Sequence, residues 1–143
     1  SMQPHYNLIN REEEREMLPL CVDMNVAVIP WSPMARGKLT RAWDESTNRT
    51  ESDEFGRYLY GMEESDRAVA DAIAAVAEGR GVPRAQVALA WVLRNLAVTS
   101  PIIGATKPHH IDDAVAAVEL ELTDDEVKTL EDPYVPHPIV GFA

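Results

Sequence analysis

Two short apolar, β-branched runs, Val26-Ala-Val-Ile-Pro and Thr99-Ser-Pro-Ile-Ile, stand far apart in the chain, and each gives way to a loop of Gly, Ser and Thr. Such runs read as strands buried on both faces. Between and after them apolar residues recur at helical spacing, so the strands are joined by crossovers long enough to make them parallel. A third, partial strand at residues 3–9 completes the expectation: an α/β chain with two to three parallel strands and flanking helices. A parallel sheet needs cover on both faces and more neighbours than that. The pattern therefore describes part of an α/β domain.

The helical segments follow from caps and stripes. Asn10 with Glu13 has capping-box spacing and predicts a helix from about Arg11, with Met17, Leu18, Cys21 and Val22 on its apolar face and Asn25 as its stop. Cys21 reads as a packed core thiol, a reactive thiol being the alternative. Ser65 caps a helix striped by Val69, Ala72, Ile73, Val76 and Ala77, ended by Gly79 and Gly81. Pro83 opens a helix over residues 84–95 that is apolar most of the way round and belongs between layers. Thr106 and Pro108 open another, with Ile111, Ala114, Val115 and Val118 on one face. Thr123 with Glu126 is a second capping box, with Val127 and Leu130 inward. Residues 40–64 lack either period and hold eight acidic residues against two arginines between Asp44 and Asp66. They read as a long loop, either a lid or a solvated excursion.

Composition narrows the function. The chain has 143 residues and a formal net charge of −11, a balance that repels a phosphate backbone and argues against nucleic acid as main partner. One cysteine excludes an internal disulfide or a thiolate cage. No apolar run approaches the ~20 residues of a membrane span, and no signal peptide opens the chain, so the expectation is a cytoplasmic protein without membrane contact. Ser1 before Met2 reads as a residue left by tag cleavage. The organisation expected is residues 1–2 as that remnant, 3–132 as the partial domain with its loop at 40–64, and 133–143 as an irregular tail.

In parallel α/β folds ligands sit on the loops after the strands. Here those loops are Trp31-Ser-Pro-Met-Ala-Arg-Gly-Lys-Leu-Thr and Gly104-Ala-Thr-Lys-Pro-His-His. The first offers a flat aromatic, a hydroxyl and Gly37, which lets backbone amides approach a phosphate. The second runs Gly, a hydroxyl and a Lys into a helix N-terminus. Each alone has a bland reading, a packed Trp or an ordinary cap. Together they point equally to a nucleotide site and to that bland reading.

Gln3-Pro-His-Tyr-Asn-Leu-Ile, Pro30-Trp-Ser-Pro-Met-Ala-Arg-Gly-Lys-Leu, Gln86-Val-Ala-Leu-Ala-Trp and Ile103-Gly-Ala-Thr-Lys-Pro, in that order, resemble the carboxyl-terminal part of an aldo-keto reductase. The branch most similar holds potassium-channel β subunits and bacterial general-stress reductases. The resemblance implies a portion of a (β/α)8 TIM barrel, incomplete as a barrel, and hydride transfer from NADPH to a small aldehyde or ketone. By the same resemblance Gln3 holds the nicotinamide carboxamide and Trp31 stacks on the ring. Ser32, Met34 and Gly37 wrap the pyrophosphate, and Gly104, Ala105, Thr106 and Lys107 lie at the adenosine phosphate. His110 and Asp113 fall near the 2′-phosphate and adenine. The chain departs from the family at Ala114, where an Asn is usual, at Ala42, where channel β subunits carry a Lys beside Arg41, and at His110, where Gln or Arg is usual.

The family's catalytic Asp, Tyr, Lys and His have no match here, and Tyr6, Tyr58, Tyr60 and Tyr134 are not at the proton donor's position. The expectation is therefore a cofactor half-site without catalytic residues, inactive alone, with barrel-core positions Val26, Val28 and Ile102 left facing nothing and self-association as a result. The alternative is a truncated, non-catalytic relative acting as an interaction module. No metal site is expected, since His109 and His110 point about 100° apart on a helix.

Overall fold

Burial alternates along the middle run: Val28 and Pro30 are buried, Ala27 is exposed, and Ile29 and Trp31 are half-buried. The computed structural model describes residues 1–45, 53–60 and 64–137, and within them this run is the centre of a small parallel sheet. Parallel bridges join Met2 to Val28 and His5 to Trp31 on one side, and Val28 to Val98 and Trp31 to Ile102 on the other. The third segment spends one residue more than the middle one between its bridges. Thr99 and Ser100 both donate backbone N–H to Val28 oxygen, at 2.8 and 3.3 Å, and Pro101 has no N–H to give. The sheet is thus a set of isolated bridges rather than continuous ladders.

The helices cover one face of the sheet, and the other, which carries His5 and Trp31, is only partly covered among the described residues, which corrects the expectation of strands buried on both. Met2 Sδ lies 3.7 Å from Cys21 Sγ, and the Tyr6 ring packs 5.2 Å from that of Trp91. Gln3, His5 and Trp31 take the other face. Val28 is accordingly fully buried under the helices instead of facing nothing, Val26 is half-buried, and Ile102 is left open at 42% exposure.

Six α-helices are described: α1 (Met17–Asp23), α2 (Glu54–Leu59), α3 (Glu64–Arg80), α4 (Arg84–Arg94), α5 (Pro108–Val118) and α6 (Asp124–Glu131). The helix expected from Arg11 does not run through. Glu12–Glu14 is a 3-10 turn without a side-chain cap, and α1 starts afresh at Met17. Pro19 explains the break, because it lacks an N–H and its ring is tolerated only in a first turn. Asn10 is no cap either; its Nδ2 donates to the His5 carbonyl at 2.8 Å. On α1 only Leu18 and Cys21 are buried, with Met17 and Val22 turned outward. Asn25 does stop it, at φ 51°, with Asn25 N–H donated to Val22 oxygen and Val26 N–H to Cys21 oxygen. That is the paired closure of a left-handed helix stop, and Gly81 at φ 66° repeats it after α3.

Residues 46–52 and 61–63 of the expected long loop lie outside the described residues. Between them α2 is a helix the sequence did not announce, capped by Asp53, whose carboxylate accepts Gly56 N–H at 2.9 Å. Helix α3 buries Val69, Ala70, Ile73, Val76 and Ala77, and α4 buries every residue from Val87 to Val92, so it does sit between layers. The α6 capping box forms as expected, and Val127 and Leu130 point inward. Helix α5 differs. It lies against α4 but buries only Ala117, leaving Ile111, Val115 and Val118 more than half exposed.

Arg11 ties the chain's ends together. Its guanidinium lies 5.2 Å from the ring centres of both Trp91 and Tyr134, and it pairs with Glu14 and Glu131. Leu130→Ala, which opens a cavity at a fully buried site, should cost about 2–5 kcal/mol in urea unfolding. Val115→Ser, on the exposed face of α5, should change stability by less than ~0.5 kcal/mol.

Candidate functional site

The bridges that order the sheet also bring its carboxyl-end loops side by side. His5, Trp31 and Ile102 are in register across the three segments, held by Trp31 N–H to Pro4 oxygen at 2.9 Å and Ile102 N–H to Pro30 oxygen at 2.8 Å. Residues 32–37 and 104–107 therefore leave the sheet at one end as neighbours. Gln3 is exposed one turn of the pleat earlier, on the face it shares with His5.

Trp31 is the flat element of this end. The His5 imidazole stacks on its indole, with ring centres 4.2 Å apart and planes 14° from parallel. The Phe55 ring of α2 lies near-parallel to it at 6.5 Å. The loop that follows is built from left-handed backbone: Ser32 (φ 52°), Ala35 (47°), Arg36 (54°) and Gly37 (94°). Three of these are not glycine, a conformation that costs energy and persists only where surroundings impose it. Ala35 N–H donates to Ser32 oxygen and Gly37 N–H to Met34 oxygen, each at 2.9 Å.

Gly37 is required here for a reason the sequence did not give. Its amide is committed to Met34, and a Cβ would stand 2.6 Å from the Arg41 guanidinium. The glycine serves a left-handed turn and lets Arg41 pack close. The loop's other cations are also engaged. Arg36 grips Asp53 with two bonds, at 2.6 and 2.9 Å, and lies over Phe55; Lys38 lies 4.8 Å from the Trp43 ring centre.

Gly104, Ala105, Thr106 and Lys107 form an exposed loop. Thr106 does not cap α5. The N-cap is Lys107, without a side-chain cap bond, and Thr106 N–H donates to His110 Nδ1 at 3.2 Å. His110 is thereby drawn to the loop, and it meets His109 edge-on, ring centres 4.5 Å apart. Asp113 stands apart from this group. Its carboxylate accepts the Gln86 side-chain amide at 2.9 Å and joins α5 to α4.

Sequence reasoning missed the polar core beside Trp31. Asn7 is fully buried; its Oδ1 accepts Ile9 N–H at 3.0 Å, and its Nδ2 donates to Ser32 carbonyl oxygen at 2.9 Å and to Tyr60 Oη at 3.1 Å. His5 Nε2 lies 2.5 Å from Tyr60 Oη. Burial lowers the His5 pKa to about 4 and pushes the Tyr60 phenol above its ordinary range. The polar alternation Gln3, His5, Asn7 was a visible signal for two of these residues. Nothing near Tyr60 in the sequence pointed to it.

Among the described residues no group of three or more His, Cys, Asp or Glu is placed to hold a metal ion, and no helix is long and apolar enough to cross a membrane. Because His5 binds a proton less readily folded than unfolded, stability should fall as pH drops from about 6.5 to about 4 and level off below that. His5→Gln removes this contribution. The difference in urea stability between wild type and variant should shrink or reverse through that window and stay flat above it.

Residues 1–134 match the Aldo/keto reductase family. The chain is 44% identical over 142 residues to versiconal hemiacetal acetate reductase of Aspergillus parasiticus, an alignment covering 97% of this chain and 41% of that protein. It is 42% identical over 143 residues to aldo-keto reductase AMT2 of Alternaria alternata, covering 100% and 38%. The glycerol dehydrogenase AKR11B4 from Gluconobacter oxydans superposes with a TM-score of 0.75 at 30% identity, covering 99% of this chain and 45% of that one. The chain spans roughly two-fifths of the length of the curated relatives it matches.

Proposed function

The chain belongs to the aldo/keto reductase family, its three parallel segments and flanking helices being a portion of a (β/α)8 barrel, and on that premise we propose that it carries the cofactor side of an NADPH-dependent carbonyl reductase. The observation that carries this reading is the register of His5, Trp31 and Ile102, which gathers both strand-end loops at the sheet's carboxyl end. Ligand sites of (β/α)8 enzymes lie at that end.

The residues present suit the group. Trp31 offers a half-exposed indole, and Gln3 is an exposed amide on the same face for the carboxamide. Ser32, Met34 and Gly37 belong to a loop carrying Arg36, Lys38 and Arg41, whose charge suits a pyrophosphate. Gly104, Ala105, Thr106 and Lys107 form an open rim, with Lys107 and His110 for a 2′-phosphate. A Cβ at Gly104 would meet nothing within 4 Å, so that rim has room. Asp113 is the weakest member, because Gln86 already takes its carboxylate. When bound, the nicotinamide supplies hydride to an aldehyde or ketone carbon.

The proton for the carbonyl oxygen comes, in this reading, from outside the chain. Burial raises the Tyr6 and Tyr60 phenols above their usual range, Tyr6 donates to Glu14 at 2.7 Å, and Tyr134 sits against Arg11. Such phenols hold their protons for the fold. Titrating the chain with NADPH should give saturable quenching of tryptophan emission, lost in Trp31→Ala, with no NADPH oxidation when a reactive aldehyde is added. Absence of quenching would overturn the half-site, and clear turnover would overturn the external proton donor.

A second reading, an interaction module, is favoured by one observation. Ile111, Val115 and Val118 on α5 are more than half exposed, as are Val22 and Met24 at the end of α1. Exposed apolar groupings of this kind promote association. Light scattering should show a species larger than the 15.9 kDa chain, and a clean monomer would count against self-association.

A further inference from the structure

Three side chains that cofactor binding does not use converge behind Trp31. His5 lies flat on the indole, and Tyr60, 4% exposed, and the fully buried Asn7 hold His5 from its far edge. We propose that His5, Asn7 and Tyr60 form a positioning unit that sets the plane of the Trp31 indole, which rests on the reading of Trp31 as the nicotinamide platform. His5 covers one indole face and Phe55 lies near-parallel to the indole at 6.5 Å, so a ligand ring is confined to the indole surface those two leave.

Ile9 N–H on Asn7 Oδ1 and the Ser32 carbonyl on Nδ2 fix which way the amide points. Asn7 Nδ2 can only donate, and it faces Tyr60 Oη at 3.1 Å and His5 Nε2 at 3.3 Å. With Nε2 as acceptor the Tyr60 hydroxyl donates to it and the His5 proton sits on Nδ1, the arrangement the proposal takes. A neutral ring held at one nitrogen and stacked on Trp31 has little freedom to tilt. Asn7 also holds the Ser32 carbonyl, so the same amide sets both the indole's backing and the first residue of the loop.

The charges around the unit are paired. Arg36, held by Asp53, lies toward Tyr60 from the loop and α2 side. Asp66 of α3, whose charge also acts on Tyr60, is paired with His137 of the tail at 2.7 Å.

The test follows the side-chain nitrogens of the histidines and the Trp31 indole N–H of the purified chain by NMR. NADPH and 2′-phospho-ADP-ribose, which lacks nicotinamide, serve as ligands. In the wild type His5 should show the Nδ1–H tautomer, and the Trp31 resonance should move as His5 is protonated. Tyr60→Phe should raise the His5 midpoint and shift Trp31. It should also weaken NADPH about tenfold, the scale of one well-placed hydrogen bond, and leave the analogue unchanged. His5→Phe, which keeps a flat ring, should retain NADPH binding that His5→Ala loses. An Nε2–H tautomer, a Trp31 resonance indifferent to His5 protonation and to Tyr60→Phe, or equal loss of both ligands would overturn the proposal. If neither ligand binds the wild type, the platform reading fails, while the tautomer and the Trp31 resonance still decide the positioning unit.

Discussion

The buried side-chain amide of Asn7 is the interaction on which the sheet's functional end depends. An amide without water must find partners for all its hydrogen-bonding atoms or cost several tenths to a few kcal/mol, in practice ~1–3. Asn7 finds them in four places: its own segment at Ile9, the loop at Ser32, Tyr60 after α2, and the edge of His5. Those partners lie on three stretches of chain, since His5 and Ile9 share Asn7's own. Satisfying one amide therefore fixes the first segment, the strand-end loop and the 53–60 segment relative to one another.

The loop after Trp31 can be strained because of that anchoring. Ser32, Ala35 and Arg36 hold positive φ without being glycine. Ser32 is pinned through its carbonyl by Asn7 and Ala35 N–H, and Arg36 through its guanidinium by Asp53. Ala35 is fully buried, so packing holds the third. The cap of α2 is the same Asp53, whose carboxylate accepts Gly56 N–H. One aspartate thus starts a helix and restrains the loop beside it.

What was legible in the sequence was what local spacing controls. The stripe of α3, the buried run of α4 and the Thr123–Glu126 box are each specified within a turn or two of helix, and they stand as read. The parallel order of the segments also followed, because the connections are too long for hairpins. The misreadings arose where a distant partner decided. Asn10 had cap spacing, but Pro19 broke the helix it would have capped. Helix α5 had an apolar face, yet α4 meets it along its small residues and leaves Ile111, Val115 and Val118 outside. Tyr60 was invisible because its partners, His5 and Asn7, lie 55 and 53 residues away.

The distribution of charge around the two loops follows from the same physics. Arg36 and Lys38 on the first loop are near the sheet and already engaged, by a carboxylate and an aromatic face. Lys107 on the second is exposed at the start of α5, where backbone N–H groups add to its field. A phosphate meeting the first loop must compete with Asp53 for Arg36, whereas one meeting the second finds Lys107 exposed and competes with His110 for Thr106 N–H. The first loop is thereby suited to shape and the second to charge. An anionic ligand that needs both would draw its affinity mainly from residues 104–107, and its orientation from Trp31 and the amide network behind it.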